Sequence, residues 1–546
     1  MRRINLFLSI GLIIATILIL SCSGQKEAEM TKMIPKDSYL LLDMNLGKLH
    51  EKGQLKDFDK SQLYTQMMSL LGAFASDVEK YVRAIITDSD ATGLDAKSEI
   101  YMFINDDYFG FLAPVKDKNK FNEFLKKNRA QGAEAKEPRK IDKFLGVGEE
   151  NTLLAWDDNV LYALIGIKKQ NKQQVETDFK KFATLTNENS ITANPMYKEF
   201  NDGKKDISFL IDYGKLMKSS FDKAKTFTQG QPQFAQDKAI ELYKDTYGTM
   251  FAEFNNDEIN LTNDTKLSDE LNKLINLEKL FKGEISDKLL KIFPKNSFAA
   301  YAASVDPAEA LKSYKTMSEK LFDKNDTTNS VAKVIEIMSK YSDRFDGEVV
   351  MSITDFMENP SSLDEFSSLP IPMNDIPVFA IALGTKDNNI IESLNQEAKE
   401  KLIKVGNYYE LPNKSEEKIK LYCINANNII MISNDINTLK AVETSSLPEN
   451  LTTSTYASQL KKGNFGYMNI NFDTFPPVLK AKLFSDATYK PIVDAFNIFD
   501  VIIFEQDKSG KSGKSSIKFK KHNQNSFLTL IKTVEKLVGV AMAGSM

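Results

Sequence analysis

The chain is poor in the residues that many enzyme and metal sites need. Its 546 residues contain two histidines, two cysteines and one tryptophan. His50 and His522 both lie in polar, lysine-flanked sequence, with no motif for a Ser-His-Asp triad or a histidine-based zinc site. We therefore expect both histidines on the surface. The single tryptophan, Trp156, disfavours a sugar-binding platform built from several indole rings.

The N-terminus has the pattern of an export signal. Arg2 and Arg3 precede an apolar run from Leu6 to Leu20 that contains no charged residue. The run ends in Ile19-Leu20-Ser21-Cys22, which resembles the lipobox of bacterial lipoproteins. This resemblance implies that the first 21 residues are removed and that Cys22 carries the acyl chains, palmitate among them. An uncleaved membrane helix is the alternative, although the run is short for a span of about 20 residues.

Cysteine and charge limit the chemistry further. Lipidation of Cys22 would leave Cys423 as the remaining thiol, so neither a disulfide nor a thiolate metal cluster could form within one chain. In its apolar sequence context, Cys423 is expected to be a small buried hydrophobe. Loss of Arg2 and Arg3 takes the basic residues from 71 to 69 against 75 acidic ones, so the net charge moves from −4 to −6. This mild acidity argues against nucleic acid as a partner.

The residues after Cys22 are expected to form a lipid-anchored tether over 22–32. Gln25, Lys26, Glu27 and Glu29 resemble the export signal that sends Bacteroidetes lipoproteins to the cell surface, although Ala28 interrupts the acidic residues. A tether that is merely solvated and faces the periplasm is the alternative. The expected partners are thus the membrane, through the N-terminal lipid, and an unidentified protein or glycan.

A turn near the start of the chain recurs past its middle. Ile34-Pro35-Lys36-Asp37-Ser38 and Phe293-Pro294-Lys295-Asn296-Ser297 each precede an apolar run that is typical of a strand. Offsets of 258 or 259 residues recur elsewhere, as between Tyr197 and Tyr456. The pattern predicts an α+β fold of two tandem homologous repeats, 33–290 and 291–546, each an antiparallel sheet packed with helices.

Local signals predict individual elements within these repeats. Turn residues at 105–107 and 157–159 predict two β-hairpins, and Asp306-Pro307-Ala308-Glu309 predicts the start of a helix. The region 214–247 is expected to be mainly helical, followed by a strand at Glu258 to Thr262 and a helix at Asp269 to Leu280.

Three features together carry a resemblance to a family. The lipobox, the turn at 34–38 and Gly93-Leu94-Asp95 before a strand resemble the Bacteroidetes lipoprotein family catalogued as domain of unknown function 4836. The resemblance covers nearly the whole mature chain. It implies an envelope location and a paired α+β fold, and it carries over no catalytic residue.

One segment has the spacing of a calcium loop. Asp88, Asp90, Thr92 and Glu99 occupy positions 1, 3, 5 and 12 of such a loop, and Gly93 occupies position 6. However, position 8 of such a loop should be apolar and is Asp95 here. The segment also leads into a strand instead of a helix. An acidic turn is therefore the alternative to a calcium site. No other cofactor is expected.

The expected function is a non-enzymatic binding or accessory module carried by an outer-membrane lipoprotein. One alternative is a hydrolase acting on glycans or peptides, which would need a cleft with paired, pKa-perturbed carboxylates. The other is a carrier of an apolar ligand, which would need a large apolar cavity between sheet and helices.

Overall fold

The computed structural model describes residues 27–55, 64–65, 92–95, 98–127, 137–168, 170–224, 233–321, 329–357, 376–397, 401–412, 419–485 and 490–543. These residues form helices and antiparallel strands, which confirms the α+β class. Of the described residues, those within Met1–Gln231, Tyr243–Leu267 and Lys521–Met546 form unit 1. Those within Pro232–Leu242 and Ser268–Lys520 form unit 2.

Unit 1 contains ten antiparallel strands within its described residues, in the order β4-β5-β6-β7-β3-β2-β1-β8-β9-β10. The strands are β1 (Leu40–Asn45), β2 (Glu99–Ile104), β3 (Tyr108–Pro114), β4 (Arg139–Ile141), β5 (Phe144–Glu149), β6 (Thr152–Trp156), β7 (Val160–Gly166), β8 (Ile207–Asp212), β9 (Tyr247–Asn255) and β10 (Glu258–Lys266).

Both predicted hairpins of unit 1 are confirmed, and their turns explain why they form. Asn105 Oδ1 accepts hydrogen bonds from the backbone N–H groups of Asp107 and Tyr108, at 3.0 and 2.7 Å. Asp157 Oδ1 accepts from Asn159 and Val160 in the same way, at 2.8 and 2.9 Å. Such side chains stabilise a turn through bonds to the backbone two or three residues ahead.

The main core of unit 1 lies between one face of its sheet and several helices. The core on this face combines strand residues such as Tyr101, Phe103 and Tyr162 with Phe179 and Phe200 from helices. The helices introduced here are α1 (Glu27–Lys32), α2 (Leu46–Gly53), α3 (Lys118–Lys127), α4 (Lys172–Phe182), α5 (Tyr197–Gly203) and α6 (Tyr213–Ala224).

Unit 2 also contains ten antiparallel strands within its described residues, in the order β14-β15-β16-β17-β13-β12-β11-β18-β19-β20. The strands are β11 (Ala299–Ser304), β12 (Phe345–Met357), β13 (Ile376–Thr385), β14 (Ile403–Val405), β15 (Tyr408–Glu410), β16 (Tyr422–Ala426), β17 (Ile429–Ser433), β18 (Phe465–Asn469), β19 (Phe499–Gln506) and β20 (Ser512–Phe519). Unit 2 thus has the same strand order as unit 1, with β11 to β20 corresponding to β1 to β10.

The core of unit 2 lies between one sheet face and several helices. Ala302 and Val350 from the sheet pack with Leu289, Leu439 and Leu460 from helices. The predicted helix start at Asp306 is confirmed, since its Oδ1 accepts from the N–H groups of Ala308 and Glu309. The helices are α7 (Gln233–Tyr243), α8 (Asp269–Ile275), α9 (Leu277–Leu280), α10 (Asp287–Leu290), α11 (Pro307–Leu321), α12 (Asn329–Tyr341), α13 (Ile390–Glu397), α14 (Ile436–Thr444), α15 (Ala457–Lys462), α16 (Pro477–Ser485) and α17 (Lys490–Phe496).

The two similar sequence turns make the same contacts in their respective units. Ser38 N donates to Pro35 O at 3.1 Å, and Ser297 N donates to Pro294 O at 3.2 Å. Pro35 and Pro294 also form isolated β-bridges, with Ser190 and Asn450 respectively. The residue before each proline is fully buried. Each turn is thus fixed by a buried apolar side chain and by a backbone partner far along the chain.

The compact units differ from the predicted halves 33–290 and 291–546 at their ends. The last helix, α18 (Ser526–Ala543), belongs to unit 1, where it packs against α2, β9 and β10. Helix α8, which directly follows β10 in the chain, belongs to unit 2 and packs against α11. Each of these helices buries its apolar residues in the unit that does not contain the strand before it.

Three local predictions need correction. The predicted tether 22–32 is helical from Glu27 to Lys32, because Met30 is buried in the core of unit 1. The strand predicted at Glu258 to Thr262 extends to Lys266, because it pairs along its whole length with β9, a strand that the sequence did not predict. The helix predicted from Asp269 to Leu280 is broken at Asn276, whose φ of 45° is left-handed.

Among the described residues, no helix combines the length and the apolar character that a membrane span requires.

Candidate functional site

One face of the unit 2 sheet builds the helix-covered core, and the other lines a cavity. Side chains alternate between the two faces along a strand. On β11, Ala300 and Ala302 point into the core, so Ala299 and Tyr301 lie on the opposite face. The antiparallel register places Met351 and Gly466 beside Tyr301, on the same face.

The cavity on this face has a volume of about 450 Å³. Its size lies within the range of about 300–1,000 Å³ that is usual for small-molecule sites. Neighbouring strands β13, β12, β11, β18 and β19 supply the lining, which is almost entirely apolar. The lining residues are Ala299, Ala300, Tyr301, Met351, Ser352, Ile353, Phe379, Ala380, Ile381, Gly466, Tyr467, Met468 and Phe504.

Large apolar side chains of the lining remain open to solvent. Met351 is 39% exposed and Phe504 is 44% exposed. Ala299, Ile353 and Met468 are only partly buried where they pack against a neighbouring aromatic cluster. The members of that cluster are Phe298, Phe356, Phe472, Phe475, Leu479 and Val493. A continuous exposed apolar surface of this kind is typical of a ligand or partner site.

Small residues create the space on this face. Ala299 is the first residue of β11, and the first residue of β1 is Leu40. Gly466 lies opposite Tyr301 in unit 2. At the matching position of unit 1, Phe209 lies opposite Leu42. Unit 2 therefore has alanine and glycine where unit 1 has leucine and phenylalanine. A Cβ atom on Gly466 would lie 2.8 Å from Tyr301 Cδ2, so the tyrosine ring rests directly on the glycine backbone.

The cavity has little polar chemistry of its own. Among the described residues that line it, none carries a charge. Ser352 Oγ donates a hydrogen bond to the carbonyl of Ala299 at 3.0 Å. Tyr467 Oη donates to the carbonyl of Ser297 at 3.5 Å. Ser352 and Tyr467 both lie opposite Ala300, so their side chains are on the core face of the sheet. For the Tyr301 hydroxyl, the described part of the chain supplies no hydrogen-bond partner. Burial raises the pKa of Tyr301, so this hydroxyl stays neutral at physiological pH.

A cluster of polar side chains is buried in unit 1. Lys204 Nζ donates to Glu99 Oε2 and to Tyr101 Oη, each at 2.6 Å, and Tyr101 Oη donates to Glu99 Oε2 at 3.0 Å. The Lys204 and Glu99 side chains are only 10% and 11% exposed. Asp43, fully buried on β1, lies opposite Tyr101.

This polar cluster connects the chain just after α5 to the middle of the sheet. The positions in unit 2 that match Asp43 and Tyr101 are Ala302 and Val350, so the cluster is a feature of unit 1. Its carboxylate already binds a lysine within a packed core. We therefore interpret the cluster as structural.

The residues of the calcium hypothesis do not all fall in the described part of the chain. Asp88 and Asp90 lie outside it. Thr92 is fully buried and its Oγ1 accepts from Leu94 N at 3.2 Å, whereas Glu99 binds Lys204. Among the described residues, no group of three or more His, Cys, Asp and Glu side chains could hold a metal ion. The calcium site remains a hypothesis.

The backbone at position 93 requires glycine. Its φ is +75°, and a Cβ atom there would lie 2.3 Å from the carbonyl oxygen of Asp117. The Gly93 carbonyl accepts from Lys116 N and Asp117 N, both at 2.9 Å. The Gly93-Leu94-Asp95 motif thus fits a close backbone contact that only glycine permits.

The other predicted site residues lie at the N-terminus or are buried. Cys22, Gln25 and Lys26 lie outside the described residues. Glu27 begins α1, and Glu29 in the same helix is exposed. Cys423 is buried on β16, and burial raises the pKa of its thiol to about 11. A thiol with this pKa is a poor nucleophile at neutral pH.

The sequence did not identify the cavity residues. The available signal was the contrast between small residues in β11 and β18 and large ones in β1 and β8. Reading that contrast requires the register between strands that lie more than 150 residues apart, as Tyr301 and Gly466 do.

Comparison with known proteins identifies a family and no function. Three crystal forms of TP0453 (I, III and IV) are 10% identical to the chain, with TM-scores of 0.24, 0.25 and 0.24. They cover 45, 47 and 44% of this chain and 81, 88 and 83% of their own. No curated protein matches. The profile of a domain of unknown function, DUF4836, matches residues 30–527, and the chain belongs to that family.

Proposed function

We propose that the protein is a lipid-anchored envelope protein that binds an apolar ligand in the cavity of unit 2. The cavity is the observation that carries this proposal. It is large enough for a small molecule, and its described lining carries no charge. Each Å² of apolar ligand surface that leaves water contributes about 25 cal/mol, so a lining of this kind favours an apolar ligand.

The envelope location rests on the N-terminal sequence. Lipidation of Cys22 after removal of residues 1–21 would hold the protein at the outer membrane, close to a supply of apolar molecules. Gln25, Lys26, Glu27 and Glu29 would then act as the signal for surface display. In this proposal the protein is a non-enzymatic binding module.

In this proposal the two units arose by duplication of one ancestral α+β unit and then diverged. The shared strand order and the two matching proline turns support this origin. After duplication, exchange of large for small residues at the positions of Ala299 and Gly466 would have opened a cavity in one copy. The other copy retains Leu40 and Phe209 at the matching positions.

Photolabelling of the full chain in isolated membranes tests the proposal. The probe is a diazirine-bearing alkane, and labelled peptides are mapped by mass spectrometry. We expect labelling of the strands that contain Met351, Gly466 and Phe504. In Ala299→Leu, which places the unit 1 residue in the cavity, labelling of these strands should fall severalfold. Ala308→Leu adds the same side chain at an exposed position of α11 and should leave labelling unchanged.

Two results would contradict the proposal. One is an absence of labelling in the cavity strands of the unmodified chain. The other is equal labelling of the unmodified chain and of Ala299→Leu, because a filled cavity cannot hold the probe.

A further inference from the structure

The polar groups of the cavity restrict what it can hold. The hydroxyl groups of Ser352 and Tyr467 lie on the core face of the sheet, where both donate to backbone carbonyls. The Tyr301 hydroxyl differs, because the described part of the chain offers it no partner. A ligand that fills the cavity would displace water from this hydroxyl, so a ligand with an acceptor at that point is favoured.

Charge restricts the ligand further. An ionised group in an apolar environment needs an opposite charge or several hydrogen bonds to offset its loss of water. The described lining residues include no Lys, Arg or His that could face an anion, and no Asp or Glu that could face a cation. Any polar group that the ligand places in the cavity is therefore expected to be neutral.

We propose that the ligand is an uncharged acyl lipid whose chain occupies the cavity and whose ester carbonyl accepts a hydrogen bond from the Tyr301 hydroxyl. This inference rests on the proposed function and names its ligand class. An ester carbonyl is a neutral acceptor without a donor, which matches a neutral tyrosine hydroxyl.

The placement of Tyr301 supports its role as the polar anchor. It is the third residue of β11, between Met351 on one side and Gly466 on the other. The matching residue of unit 1 is Leu42, which has no hydroxyl. The exchange of leucine for tyrosine thus accompanies the exchange of large for small residues around it.

Three probes of equal chain length test the inference by photolabelling the full chain in isolated membranes. They are a diazirine-bearing monoacylglycerol, the corresponding alkane and a permanently anionic alkyl sulfonate. We expect the monoacylglycerol to label the cavity strands more strongly than the sulfonate does. The variant Tyr301→Phe removes the hydroxyl and keeps the ring. Tyr314→Phe, at an exposed tyrosine of α11, is the matched control.

Loss of one hydrogen bond should lower monoacylglycerol labelling of Tyr301→Phe about two- to tenfold. Alkane labelling should not change, which also shows that the variant is folded. The inference is overturned if Tyr301→Phe and Tyr314→Phe label equally with monoacylglycerol, or if the sulfonate labels as strongly as the ester. Either result leaves the proposed function intact so long as the alkane labels the cavity. Failure of all three probes would refute the proposed function itself.

Discussion

At the residue scale, the buried ion pair of unit 1 is expected to contribute strongly to stability. Lys204 and Glu99 are almost completely removed from water, and their charges are compensated by each other and by the Tyr101 hydroxyl. The Lys204 ammonium also lies 4.9 Å from the centre of the Tyr101 ring. Removing one partner of such a pair leaves the other charge buried without compensation.

We expect Lys204→Met to destabilise unit 1 by about 3–5 kcal/mol, because the Glu99 carboxylate would remain buried. Trp156 fluorescence during urea unfolding measures this change, since the indole is fully buried in unit 1. Lys205→Met is the matched control. The Lys205–Glu253 pair is 3.5 Å long with side chains 45% and 36% exposed, so its loss should cost about 1 kcal/mol or less. Equal effects of the two variants would contradict the structural interpretation.

At the level of elements, the last helix of the chain is the most informative. Asp257, at the turn between β9 and β10, accepts hydrogen bonds from the backbone N–H groups of His522, Asn523 and Gln524, at 3.1, 2.9 and 3.4 Å. Phe527, in the first turn of α18, packs against Phe254 with ring centres 5.0 Å apart. The carboxylate and the aromatic contact together hold the start of α18 on the sheet of unit 1.

Asp257→Ala should destabilise unit 1 by about 0.5–1.5 kcal/mol at pH 7, because the backbone N–H groups that precede α18 would lose their acceptor. Burial alone would raise the pKa of Asp257, but the three backbone donors lower it overall. Its stabilising contribution is therefore complete above the unfolded pKa of about 3.9 and disappears as pH falls through the lower folded pKa. Trp156 unfolding curves at pH 7 and below pH 3 measure this.

A turn carboxylate of unit 2 provides the control for Asp257. Asp507 accepts from Ser509 Oγ and from Ser512 N in the turn between β19 and β20. Asp507→Ala should leave the Trp156 transition unchanged. A destabilisation by Asp257→Ala that persists below pH 3 would contradict the assigned role of the carboxylate.

The sequence predicts an element well when the interactions that stabilise it join residues close together in the chain. The hairpins and the helix start at Asp306 were predictable, because Asn105, Asp157 and Asp306 each bond to backbone two or three residues away. The strand β9 was not predicted, because its stabilising partners are β8 and β10 and its own residues give no strong turn signal. The placement of α18 in unit 1 likewise involves residues far earlier in the chain, among them Phe254 and Asp257.

At the level of the whole molecule, two units with the same strand order differ in what one sheet face contains. In unit 1 that face has Leu40, Leu42 and Phe209, and in unit 2 the matching residues are Ala299, Tyr301 and Gly466. The exchange removes side-chain volume and adds one hydroxyl. The sequence contains this difference, but its meaning emerges only when the register aligns the strands.

In the proposed function, unit 2 of the chain binds one apolar molecule in its cavity. The most direct test is to release the full chain from membranes, extract it with organic solvent and measure bound apolar molecules by mass spectrometry. We expect a single such molecule per chain, largely lost in Ala299→Leu and retained in Ala308→Leu. Extraction of the same amount from all three proteins, or of none from the unmodified chain, would contradict it.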